Sequence, residues 1–223
     1  MARASFWVVL CTGLLCGALC LLPRYLGPPQ LGQAIVGVTV VFLALLFAGA
    51  YLGSEQQELR DALALLVPLG LFLVLADTML AQELGTLTFP DLGAQRFGPV
   101  PVYMAGLWVA PLLVVLWLAE LAHRTAAVLA GLVALIVSLA VFGAAEWAAP
   151  RMLSLWHPRN VATWNGIALY VLPAEALLGV LTWLVFAQVR RSTLFGKAFG
   201  AAIVALCYAG ALFASHLAFQ RLA

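Results

Sequence analysis

The chain is 223 residues long, 65% hydrophobic and 9% charged, with a mean hydropathy of +1.08. Soluble domains carry about 25% charged residues, so the composition excludes a soluble globular protein and leaves an integral membrane protein. A net charge of +2, with no basic patch interleaved with aromatics, gives no reason to expect a nucleic-acid partner.

Seven apolar stretches approach the ~20 residues that a spanning helix needs; they lie near 5–22, 32–52, 62–82, 99–119, 125–146, 165–189 and 198–219. The expected fold is all-α: an integral membrane seven-helix bundle, one transmembrane domain over 1–223, with the termini on opposite faces. The first stretch resembles a signal peptide in that Arg3 precedes an apolar run ending in small residues. That run fills a whole span, no A-x-A-like site closes it, and Cys16 and Cys20 lack a lipobox, so it is read as the first span. Cys11, Cys16, Cys20 and Cys207 all fall in apolar spans with no CxxC or Cys/His spacing. They read as packing residues, with no metal site and no cofactor expected.

The face holding the N-terminus, face A, also holds the loops near 53–61, 120–125 and 189–197. It carries Arg3, Arg60, Arg124, Arg190, Arg191 and Lys197, against Arg24, Arg96, Arg151, Arg159 and Arg221 on face B. The cluster Arg190, Arg191, Lys197 points to face A, and so the N-terminus, as cytoplasmic. The expected location is a multi-pass position in an inner (cytoplasmic) membrane of bacterial type. The face B connections 83–98 and 147–164 are long, aromatic and Pro-rich, whereas those on face A are short and polar.

At ~1.5 Å of rise per residue, the polar residues sort by depth. The third span runs from A to B, so Asp77 lies ~9 Å inside face B and Glu83 at that face. The fifth ends at Glu146. The sixth enters from B, placing Tyr170 one to two turns down and Glu175 near ~15 Å. The fourth brings Tyr103 and Trp108 to comparable depths, and the seventh returns His216 to face B. Acids within spans are rare and usually face a bundle interior or a wet cavity. Asp77, Glu146, Glu175 and Glu83 are therefore the candidate catalytic residues, with Tyr103, Trp108, Tyr170, Trp164 and His216 as candidate substrate contacts.

Each residue also has a plainer reading. Glu83 and Glu146, at helix ends, can reach water. Trp147, Trp156 and Trp164 suit an interfacial belt better than a site. His216 can be a packed, hydrogen-bonded histidine. Asp77 and Glu175 have few ways to reach water, and Pro173, which cannot donate to the carbonyl of Leu169, should open a kink beside Glu175.

A carboxyl group in an apolar pocket favours its neutral form and can donate a proton near neutral pH, while aromatic faces stabilise cations. These parts suit protonation of a carbon–carbon double bond in a bilayer-dissolved isoprenoid. A second carboxylate would then accept a proton, closing a cyclisation, or position a water for hydration.

The segments Glu83 … FGPVPVYMAGLWVAPLLVVLW and Glu146-WAAP … Trp156 … NGIALYVLPAEALLGVLTW resemble the multi-spanning carotenoid-biosynthesis proteins of the bacterioruberin-precursor hydratase type. In that family an acid near a span end is followed by a G-x-P-like start of the next span and a closing Trp, twice over. The likeness covers about 83–183, and its second copy reads Leu172-Pro173-Ala174-Glu175. The LPAEALLG run is also similar to the LP-x-EE segment of heterodimer-type lycopene cyclases, with Ala174-Glu175 in place of the paired acids. Small seven-span terpene cyclases of meroterpenoid pathways are similar in size and span number. All three resemblances imply isoprenoid chemistry.

The competing class is a proton-coupled small-molecule transporter or a membrane-complex subunit, since embedded acids also build proton relays. The sequence shows no inverted repeat with paired broken helices, and no P-loop, GxGxxG or HExxH.

Overall fold

The computed structural model describes residues 2–52 and 56–220. Arg221, the side chain of Arg3 and the 53–55 part of the first face A loop lie outside the described residues. Within them, seven helices are long and apolar enough to cross a membrane. They comprise α1 (Ala2–Leu21), α2 (Gln30–Leu52), α3 (Gln57–Gln82), the pair α4 (Tyr103–Leu107) and α5 (Val109–His123), α6 (Ala127–Met152), α7 (Val171–Val189) and α8 (Leu194–Gln220). The protein is a multi-pass membrane bundle of seven spans. α3 is central, packed against α4, α5 and α8, while α5, α6 and α7 pack on one another and α1 lies against α2 and α5.

Without a hydrophobic force between helices in lipid, close approach depends on small residues. Gly70 of α3 lies against the backbone carbonyl of Ala105, Gly106 of α4 against Thr39 of α2, and Gly179 of α7 against Ser138 of α6. A Cβ at any of these three would collide with its neighbour.

The fourth span is broken at Trp108. Pro111 has no N–H for the carbonyl of Leu107, and its ring crowds that carbonyl, so the helix restarts at Val109. The break falls at the residue that points its indole at Asp77.

Six two-residue strands decorate the face B connections: β1 (Leu87–Thr88), β2 (Arg96–Phe97), β3 (Val100–Pro101), β4 (His157–Pro158), β5 (Thr163–Trp164) and β6 (Ile167–Ala168). β2–β3 and β5–β6 are hairpins, and β1 pairs antiparallel with β4. The Asn165-Gly166 corner has φ of 50° and 73°, the combination that a two-residue type I′ turn requires. The sixth span therefore begins at Val171 and not at 165. Pro173 consequently sits in the first turn of α7, where its missing N–H would have had no helical partner. The expected kink beside Glu175 is absent.

α6 runs on past Glu146 to Met152, so this acid lies six residues inside its helix and is not a helix-end residue. The fourth span starts at Tyr103 and not at 99, because 96–101 form the β2–β3 hairpin. Arg96 fixes that loop by donating to the carbonyls of Phe89, Pro90 and Pro99 at 2.6–3.2 Å. The N–H of Gly32 in α2 donates to the carbonyl of Leu92 at 2.7 Å, tying the loop to the bundle.

Among the described residues, two ion pairs close face A. Lys197 of α8 meets Asp61 of α3 at 2.5 Å. Glu120 of α5 accepts from Arg190 at 3.2 Å and from the Trp183 indole at 3.1 Å.

Candidate functional site

The helix boundaries bring three acids to one level. Asp77 lies five residues before the end of α3, Glu146 six before the end of α6, and Glu175 four after the start of α7. At 1.5 Å per residue these are ~8, ~9 and ~6 Å from the face B ends of their helices. Glu175 is thus much shallower than the ~15 Å expected from a span starting at 165. It is nonetheless buried, 3% exposed, as is Asp77.

All three carboxyls line one cavity of about 550 Å³. Its walls come from α1, α3, α5, α6 and α7, Tyr208 of α8 lies at its deep end, and the residues around Thr86 and Leu155 roof it. The lining is overwhelmingly apolar, with Trp108, Phe142, Trp156, Tyr170 and Tyr208 as its aromatic members. Among the described residues no Lys, Arg or His lines it. Unpaired charges in such surroundings are far more costly than neutral acids.

The acids differ in their partners. Asp77 Oδ2 accepts a hydrogen bond from Trp108 Nε1 at 2.9 Å. The Trp108 ring packs against Phe142 and, edge-on, against Tyr208, at centroid distances of 5.6 and 5.8 Å. Glu175 Oε2 is buried and has no hydrogen-bond partner. Such an orphan is uncommon enough to ask for a reason. Tyr170, the residue before α7, joins its hydroxyl to that of Thr86 at 2.7 Å, and its carbonyl accepts from Ser215. That bond ties the roof to α7.

The other candidates lie elsewhere. Glu83 is exposed just past the end of α3 and does not line the cavity. Trp164 is 66% exposed at the hairpin tip, and Trp147 is half exposed with Arg151 over its ring, both as interfacial anchors stand. Trp156 departs from that belt reading: it is buried and lines the cavity together with Glu146. Tyr103 is buried but turned into the cluster of Leu31, Phe89, Leu155 and Trp156 under the 89–100 loop, outside the cavity lining. His216 packs edge-on against Tyr170 at 5.3 Å and lines a smaller cavity of about 130 Å³ on the far side of that ring. His157 and Asn165 serve the roof, His157 by pairing with Thr88 and Asn165 by accepting from Arg151 at the corner. Phe142, Tyr208 and Thr86 join the site without any signal in the sequence beyond their presence near the acids.

Residues 74–219 match the family described as a domain of unknown function, DUF6989. The chain belongs to that family. Its DUF6989 region takes in all three cavity acids, every strand and α4 to α8, whereas the α1 wall of the cavity lies outside it. No curated protein and no solved structure matches the chain.

Proposed function

We propose that the protein is a membrane enzyme that uses embedded carboxylic acids to protonate a carbon–carbon double bond of a lipid-soluble isoprenoid. The observation that carries this reading is the convergence of Asp77, Glu146 and Glu175, from three helices, on one apolar, aromatic-lined cavity without a cation. The resemblance of residues 83–183 to carotenoid hydratases and terpene cyclases supports the same chemistry.

Glu175 is the proton donor, because its buried Oε2 is committed to no protein partner and is free to meet a substrate. Transfer of its proton to one alkene carbon leaves a carboxylate on Glu175 and a carbocation on the other carbon. Trp108, Phe142, Trp156 and Tyr208 offer π faces to that cation. The cation then follows one of two courses. Attack by an internal double bond and loss of a proton to a carboxylate, with Asp77 held by Trp108 as the receiving group, gives a cyclised isomer. Attack by water, with its proton passing to that carboxylate, gives a tertiary alcohol. Either way one proton enters the substrate and one returns to the acid cluster, so no cofactor is needed for balance.

Lipid extracts from cells with and without the protein, compared by mass, test the proposal. A gain of one water identifies a hydratase and an isomeric product a cyclase. Extracts that do not differ refute the enzyme reading and favour proton-coupled transport.

A further inference from the structure

The cavity is bounded sideways by two helices that are not packed on each other. Thr86, Leu153, Leu155, Trp156 and Ala168 on the face B side are buried. On the lipid side the walls are Thr12, Cys16 and Cys20 of α1 and Ala140, Ala144 and Ala148 of α6. Each set repeats every four residues, which places it along one stripe of its helix. Cys16, Cys20, Ala140 and Ala144 line the cavity and are exposed to the bilayer. α1 leans on α2 and α5, and α5 holds α6, so the seam between α1 and α6 is spanned at its back by Ala110, Pro111 and Val114 of α5.

Helices faced with small residues at this spacing ordinarily pack tightly in lipid. Here the two stripes flank a void that leads to a buried, partnerless carboxyl oxygen, that of Glu175. We infer that the α1–α6 seam is the lateral door through which an apolar chain passes from the bilayer to the acids. The small side chains leave the gap wide enough for a chain to pass. This rests on the cavity taking an apolar isoprenoid, as proposed above.

The test uses the full-length protein in proteoliposomes with a photoreactive polyprenyl hydrocarbon carrying a diazirine. Cross-linked residues are mapped by mass spectrometry, so the readout is occupancy and not turnover. Wild type is expected to be labelled inside the cavity, on α8 around Tyr208 and on α6 around Phe142. Ala144→Phe and, on the opposite wall, Cys16→Phe should lower that interior labelling by about tenfold or more, the effect of ~1.4 kcal/mol. Ile136→Phe places the same ring at an exposed position of α6 outside the cavity lining and should leave labelling unchanged. Interior labelling that persists in both folded seam variants overturns the door and leaves the isoprenoid reading standing. Absence of interior labelling in wild type overturns both.

Discussion

Glu175→Gln separates the chemistry of the acid from its place in the fold. The amide is nearly isosteric with a carboxylic acid and, like it, neutral. Because Oε2 makes no hydrogen bond, the substitution removes none of the interactions that hold α7. The change in stability should therefore stay within ~1 kcal/mol, the scale of mutations that delete no contact. The amide cannot donate a proton to carbon. General acid catalysis typically contributes ~10²–10⁴-fold, equivalent to about 3–5 kcal/mol of barrier at ~1.4 kcal/mol per tenfold. The measurement is product formed per unit of folded protein in membranes, read by mass in lipid extracts, with thermal unfolding in detergent as the control. Glu83→Gln makes the same chemical change at an exposed acid outside the cavity and should keep wild-type turnover. A folded Glu175→Gln variant that also keeps it refutes Glu175 as donor. If the Glu175→Gln/Asp77→Asn double variant is folded and active as well, protonation by this pair is refuted and Glu146, the third acid of the cavity, becomes the candidate donor.

Asp77→Asn keeps a carbonyl oxygen for the Trp108 indole but loses the proton acceptor, so folding should survive while turnover falls by ~10²-fold or more. Trp108→Phe removes that hydrogen bond and leaves a buried carboxyl oxygen unpaired, which should lower stability by about 1–3 kcal/mol in thermal or denaturant unfolding. The pH–rate profile should be bell-shaped, rising as Asp77 ionises to the acceptor and falling as Glu175 loses the proton it donates; a profile with no falling limb would remove the general acid. Gly179→Val drives a side chain into Ser138 at the α6–α7 crossing and should cost about 1–3 kcal/mol of stability whatever the substrate.

The sequence makes the spans legible because hydropathy over ~20 residues reports the bilayer directly. Asp77 and Glu175 stand out for the same reason: a carboxyl within such a run is conspicuous. What the hydropathy does not resolve is where a helix starts when apolar residues continue beyond it. Ile167 and Ala168 extend the apolar run of α7 backwards, yet Asn165-Gly166 is the local signature of a hairpin. Counting depth from 165 consequently sank Glu175 too far. Conversely, the apolar run of α6 stops at Glu146, which gives that acid the look of an interfacial residue, whereas the helix continues to Met152 with Pro150 in its last turn. The aromatic lining is legible only in part. Trp156 lies in a Pro-rich loop that could equally hold it in a belt, and the roles of Phe142 and Tyr208 depend on helix rotation. That rotation is set by contacts such as Gly179 on Ser138, which no periodicity in a uniformly apolar helix displays.

The site also owes its form to an internal repeat that runs in one direction across the membrane. α3 is followed five residues later by β1, and α6 five residues later by β4; each strand leads to a hairpin and then to a descending helix. Both hairpins are closed by the same hydrogen bond, Val102 N–H to the Gln95 carbonyl and Leu169 N–H to the Ala162 carbonyl, and β1 pairs with β4 between the halves. Such a scaffold brings the ends of α3 and α6 together and so sets Asp77 and Glu146 at one level. It also places a tyrosine after each hairpin, Tyr103 and Tyr170. The halves diverge five residues further on, where the first has Trp108 and the second Glu175. Trp108 gives its indole N–H to Asp77, whereas Glu175 adds a third carboxyl with a free oxygen. A symmetric pair of acids would offer two equivalent groups; this departure from symmetry leaves one acid held by a hydrogen bond and another with a free oxygen, the inequality that the proposed proton-in, proton-out reaction requires.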